Sequence, residues 1–451
     1  MGRRRPRTPY SSDRARSVRY RTPRKPPAAC KNADATMPPS LQSPSTSILA
    51  HRPFALFWAG RVLATTGFQM QSVAIGWQVY ELTGSAFDLG LVGLAQFLPM
   101  LALALVTGHV ADNFDRRKII VACQVVKLLT AVALAVGSYY GGLPRIAIFA
   151  VIFVFGAARA FEMPTLQAFL PSVVPETMLP RAIAASASAN QAATIGGPAL
   201  GGLLYAASPA FAFGTCGILY LLCALAIVRV RARAQGSSRE PVSLDSLLAA
   251  IRFIRNNPVI LGAISLDLFA VLLGGATALL PIYAKDILQV GPTGLGMLRA
   301  APAVGALAMS IYLAHHPPRR RVGRLMFSAV AAFGGATIVF GLSESFPLSL
   351  IALTLLGASD MVSVVIRSSL VQLKTPDAMR GRVSAVNSVF IGSSNQLGEF
   401  ESGVTAAWFG VVPSVVIGGI GTLAVVLLWM RLFPALAQAN RLVPREEGAP
   451  E

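Results

Sequence analysis

Eight ionisable side chains lie inside long apolar runs: Arg61, Arg159, Glu162, Asp267, Asp360, Arg367, Glu399 and Glu401. A charge in the middle of a membrane helix costs about 2.5–3.5 kcal/mol on insertion scales, so each is a candidate for function. The chemistry open to them is proton exchange or binding of a charged substrate. A carboxylate in a dehydrated cavity holds its proton more tightly than one in water and can trade it for a cation. The structural alternative is an interhelical salt bridge with no transport step. Arg159 and Glu162 are three residues apart and can share one helix face. Asp88 and Arg299 belong either at the membrane faces or in the same cavity.

The elements that must position these charges are membrane helices. Of 451 residues, 54% are hydrophobic and 13% charged, and the mean hydropathy is +0.60. Soluble domains carry about 25% charged residues. A helix needs roughly 20 apolar residues to cross a bilayer. Apolar runs between breakers give about twelve candidates, near 54–80, 87–110, 119–139, 145–169, 181–206, 210–230, 258–284, 294–314, 325–342, 347–371, 382–410 and 412–433. The predicted fold class is therefore all-α integral membrane, in two six-helix bundles over 51–230 and 258–435. A polar, basic linker, 231–257, joins them. Residues 1–50 form an Arg-, Pro- and Ser-rich arm expected to be disordered, and 436–451 a C-terminal tail. Met37 is a second possible start.

Charge and repetition support this layout. The net charge is +19, but the basic residues fall in short segments between apolar runs, as topology determinants do, which argues against nucleic-acid binding. Loops holding Arg116, Arg117, Lys118, Arg181, Arg229, Arg320 and Arg380 alternate with loops poor in cations. Both termini are thus expected in the cytoplasm. An offset of 203 sets Tyr80 on Tyr283, Gly93 on Gly296 and Pro99 on Pro302; an offset of 201 sets Gly156 on Gly357, Gly197 on Gly398 and Gly202 on Gly403. The second offset also places Arg159 on Asp360, opposite charges at equivalent positions. A repeat of two six-helix halves is the pattern of an alternating-access transporter.

The turn Gly108 to Lys118 (GHVADNFDRRK) joins the second and third runs. Gly108 permits close helix approach, and Asp112 is an anion at a helix end that can meet a neighbouring helix N-terminus and guanidiniums. This turn resembles the major facilitator superfamily pattern G-x-x-x-D-R-x-G-R-R, with Gly108, Asp112, Arg116 and Arg117 matching and Asn113 and Asp115 departing. The resemblance covers about 51–435 and implies that Gly108, Asp112, Arg116 and Arg117 form a cytoplasmic gate against the eleventh helix near Arg382. GPALGG, with Gly197, Pro198, Gly201 and Gly202, resembles the motif of the superfamily's drug and proton antiporters, with Ala193 where the first Gly would stand. Trp77 to Pro99 and Leu370 to Ser388 resemble the branch that includes the enterobactin exporter and macrolide efflux proteins.

The expected function follows. The chain reads as a secondary transporter of a bacterial cytoplasmic membrane that exports a bulky amphipathic small molecule, drug or siderophore-like, with protons as coupling ion by resemblance. A monomer in the lipid bilayer is expected. An importer, or a transporter-like receptor that moves nothing, are the alternatives. No phosphate loop, nucleophile–base set or Cys/His cluster points to an enzyme, a cofactor or a metal. His315 and His316 read as loop residues and the four cysteines as small buried ones.

Overall fold

The computed structural model describes residues 48–141, 143–231, 244–318 and 320–439. The arm up to residue 47, most of the linker, Arg319 and the C-terminal tail from 440 lie outside the described residues. The first six long helices are α1 (Arg52–Thr83), α2 (Ala86–Asn113), α3 (Arg116–Tyr139), α4 (Arg145–Val173), α5 (Leu179–Ala207) and α6 (Pro209–Val228). A shorter helix follows, α7 (Leu244–Asn256). The second set is α8 (Pro258–Leu273), α9 (Gly291–His315), α10 (Val322–Gly341), α11 (Phe346–Lys374), α12 (Asp377–Phe409) and α13 (Val411–Leu432). Their ends follow local chemistry. Gly84 closes α1 in the left-handed region at φ 60°, and the Ser85 hydroxyl accepts the Asp88 N–H to cap α2.

Nine described spans are long and apolar enough to cross a membrane. Besides the short α7, the helices outside that set are α1, α5 and α12, which are 32, 29 and 33 residues long. They carry amides that turn inward. Gln78 Nε2 donates to Ser138 Oγ at 2.7 Å, and Gln191 Nε2 to the Ala303 carbonyl at 2.9 Å. A helix that pairs its polar groups inside the protein does not need a uniformly apolar surface.

The two sets pack alike. α1 packs on α5 and α6, α2 on α4, and α3 on α4 and α6; correspondingly α8 packs on α12 and α13, α9 on α11, and α10 on α11 and α13. The halves meet along α2–α12 and α5–α9. Glycines from the sequence repeat mark the same contacts twice. A Cβ on Gly156 would meet the α2 backbone at Gln96 at 2.7 Å, and one on Gly357 the α9 backbone at Pro302 at 1.9 Å. Gly202 lies against Pro292 and Gly296 of α9, and Gly403 against Gly90 of α2. Both crossings therefore require a residue without a side chain.

The stretch read as a linker, 231–257, contains the helix α7. Its Ala250 and Ile254 are buried among Ile260, Val371, Val383 and Val386. The seventh run is not one continuous helix. α8 stops at Leu273, and the chain continues through a 3-10 turn, Ala276–Leu279, and a π turn, Tyr283–Ile287. The break falls at Gly274 and Gly275, where a Cβ on Gly275 would lie 2.4 Å from the Gly398 carbonyl of α12. Close contact with α12 thus replaces helical regularity at this point.

Candidate functional site

The in-span charges fall into two clusters, one in each half. In the first, Lys127 of α3 reaches both carboxylate oxygens of Glu162 on α4, at 3.0 and 2.9 Å. Gln124 Nε2 donates to the same carboxylate at 2.5 Å. Both ends of the pair are buried. Glu162 is therefore bound by α3 and does not pair with Arg159 one turn away. The Arg159 guanidinium lies over the Phe68 ring of α1, 3.4 Å from its centroid. Arg61, on α1, is half-buried and lies within the electrostatic field of Glu162. Neither Arg61 nor Arg159 has an ion pair among the described residues.

In the second cluster, Arg367 of α11 forms a buried ion pair with Asp267 of α8. Asp360, on α11, lines one small cleft with Asp267, Ser359, Ser363, Val330 and Phe333. The cleft measures about 10 Å³, room for roughly one water molecule. Asp360 has no ion pair or hydrogen bond among the described residues. The Ser363 hydroxyl is buried and also lacks a partner.

The carboxylates of α12 are placed differently. Glu399 lies 3.8 Å from Arg299 of α9, and its side chain packs on Gly93 of α2, so it stands at a crossing between the halves. Glu401 accepts a hydrogen bond from Thr405 Oγ1 at 2.7 Å. Asp88 is an ion-pair partner of Arg145 at one end of the first half. At the same end, Tyr80 of α1 donates to Asp286 in the π turn, and the Lys285 ammonium lies 5.4 Å from the Tyr80 ring.

The loop from Gly108 is clear in its basic part. Asp115 caps α3 by accepting the Arg117 N–H at 3.0 Å, which accounts for an Asp where the superfamily has Gly. Arg116 donates to the Ala168 carbonyl of α4 at 3.1 Å, and Arg117 to the Val228 carbonyl at the C-terminus of α6 at 3.4 Å. These cations tie the first half together at a helix C-terminus, where positive charge is favoured. The side chain of Asp112 lies outside the described residues. A Cβ on Gly108 meets no described atom within 4 Å. In GPALGG the steric reading fits. Gly197 and Gly201 abut Gln69 and Met70 of α1, and the Pro198 carbonyl abuts Gly296. His315 and His316 bond back to the Ile311 and Tyr312 carbonyls, and no group of three metal-ligating side chains occurs among the described residues.

Lys127 is the residue that sequence reasoning missed. It is an ionisable side chain inside the run 119–139, so the rule that selected the other eight applies to it equally.

Twelve long helices in two like-packed halves that cross at two helix pairs define a major facilitator transporter. Residues 43–449 match the family described as Transmembrane secretion effector, and the chain belongs to that family. It is 27% identical over 409 residues to the enterobactin exporter EntS of Citrobacter koseri, covering 89% of this chain and 96% of that one. It is 24% identical over 373 residues to macrolide efflux protein A of Streptococcus pyogenes, covering 79% and 90%. Among solved structures, a bacterial homologue of the human lysosomal transporter Spinster superposes with a TM-score of 0.69 at 14% identity, covering 87% of this chain and 99% of that one. The D-xylose–proton symporter gives 0.61 at 13% identity, covering 86% and 98%. These two likenesses concern the fold alone.

Proposed function

We propose that this protein is a secondary active exporter of a bulky amphipathic small molecule, working as a proton antiporter by alternating access in a bacterial inner membrane. The halves 51–230 and 258–435 rock against each other as bodies, joined by the linker 231–257. The protein acts as a monomer with both termini in the cytoplasm, and Gly108, Asp112, Arg116 and Arg117 serve the gate on that side. Export is favoured by the relatives named for enterobactin export and macrolide efflux. The observation that carries proton coupling is the state of Asp360, a carboxylate inside a span that has no ion pair among the described residues, while its cleft neighbour Asp267 is paired with Arg367. A space of one water admits a proton and excludes a bulky substrate. A broken helix beside such a group is common where transporters bind ions.

Proteoliposomes with an imposed pH gradient test this reading. Wild type is expected to drive efflux of a substrate found by screening, and to move protons in the opposite sense. Asp360→Asn is expected to bind the substrate at wild-type affinity and to lose gradient-driven transport by at least about tenfold, the order seen when a proton-transfer group is removed. An unchanged response to the gradient in that variant would remove Asp360 from the coupling.

A further inference from the structure

The first half holds more positive than negative charge at its centre. Lys127, Arg159 and Glu162 lie there on α3 and α4, and Arg61 lies on α1. Both Glu162 oxygens, however, are taken by Lys127, with Gln124 donating to one of them. The Arg159 guanidinium is left without an ion pair among the described residues, inside a membrane-spanning helix. A buried charge left uncompensated is expensive, and an anion brought by a ligand would relieve it.

Two further observations point to a ligand. Arg159 uses its flat face on the Phe68 ring, and Phe68 is itself stacked on Phe155 at 5.5 Å and 4°. Face stacking fixes the guanidinium and leaves its N–H edge free for a forked contact with oxygen. Nearby polar atoms are also unused. The Tyr220 hydroxyl is fully buried without a partner among the described residues, its ring lies 4.5 Å from Lys127, and the same ring abuts Gly67, next to Phe68 on α1. Both amide atoms of the buried Gln71 on α1 lack partners as well.

We propose that Arg159 anchors an anion subsite that takes an ionised oxygen group of the transported molecule, a carboxylate, phenolate or phosphate. The subsite rests on the transporter reading, and it narrows the cargo to amphipathic molecules carrying a negative charge. Binding of the anion in the first half and of the proton at Asp360 in the second keeps the two ligands on separate bodies. The phenol of Tyr220, against Gly67, and the amide of Gln71, one turn from Phe68 on α1, supply neutral donors near the stack.

The test uses three probes that share one fluorophore and differ in charge: dansylglycine with a carboxylate, dansylamide, which is neutral, and dansyl-ethylenediamine, which is cationic. Binding to the purified full-length protein in detergent is read by fluorescence, independently of any transport. Dansylglycine is expected to bind roughly tenfold or more tightly than the cationic probe, the ratio expected for hydrogen bonds to charged groups. Arg159→Gln should erase that preference, and Arg159→Lys should recover part of it. Equal or tighter binding of the cationic probe, no binding of dansylglycine, or a preference unchanged in Arg159→Gln would overturn the subsite. So would protection against thermal unfolding by chloride alone that equals the effect of dansylglycine, since the site would then take a free anion. Loss of gradient-driven efflux for all probes with charge-selective binding intact would instead count against the transport reading and leave the subsite standing.

Discussion

The two halves repeat one architecture and diverge at the place where their third and fourth helices cross. In the first half that crossing holds the buried pair Lys127–Glu162. Under the offsets of the repeat, Lys127 falls on Val330 and Glu162 on Ser363, and both of these line the small cleft beside Asp360. The first half has filled its crossing with an ion pair, while the second has left space there. The unpaired charges also differ in sign at equivalent positions, Arg159 in one half and Asp360 in the other. A duplicated scaffold can thus carry a rigid, cationic half and an adaptable, acidic half, which is a reasonable division between cargo binding and ion coupling.

The comparison makes its largest demand on the two buried ion pairs. Removing one partner of a buried pair costs about 3–5 kcal/mol because the other charge is left uncompensated. Glu162→Gln should incur that cost, since Lys127 bonds to no second carboxylate among the described residues. Asp267→Asn should cost clearly less, since Asp360 lies in the same cleft and can take over Arg367. Thermal unfolding in detergent, with folded yield by size exclusion, measures both. A Glu162→Gln protein as stable as Asp267→Asn would remove the asymmetry between the halves.

The glycine crossings come next. Gly202→Val places carbon where the Pro292 carbonyl is 2.2 Å away, and Gly403→Val where the Gly90 Cα is 2.5 Å away. Each contact is with backbone, which cannot swing aside, so each substitution should cost up to about 3 kcal/mol in the conformation described. Because the cost falls on contacts between halves, its readout is conformational. Distances between spin labels on α5 and α9 should lengthen in the Gly202 variant, and those between α2 and α12 in the Gly403 variant. Unchanged distances with normal folding would show that the crossings are not bodies that separate.

Much of this was legible in the sequence. Apart from the seventh run, where α8 stops eleven residues short, the helix ends fall within about five residues of the expected spans because Pro, Gly and charged turns bound nearly every apolar run. The repeat was legible for the same reason that Gly202 and Gly403 cannot change, since close backbone contact leaves glycine at fixed offsets. The pairing of charges was not legible. Arg159 and Glu162 are neighbours along α4, but neighbours on a helix need not meet when a third residue on α3 competes, and Lys127 wins with two short contacts. The break in α8 was marked only by Gly274 and Gly275, a pair that many continuous membrane helices tolerate.

The smallest effect separates the halves at their ends. Tyr80 and Tyr283 are equivalent by the repeat, but their hydroxyls do different work. Tyr283 donates to the Gly341 carbonyl within its own half at 2.8 Å, whereas Tyr80 donates to Asp286 across the halves. Tyr283→Phe should therefore lower stability without moving the halves, while Tyr80→Phe should favour the state in which this end of the bundle is open. A hydrogen bond to a charged acceptor contributes about 1.5 kcal/mol at its lower range, which is roughly a tenfold change in that equilibrium. Modification of a cysteine placed at Gly76, where Pro281 of the opposite half lies 3.5 Å from an added Cβ, reports opening at this end. The rate should rise with Tyr80→Phe and stay at its background value with Tyr283→Phe; equal rates would mean that Tyr80–Asp286 holds nothing shut.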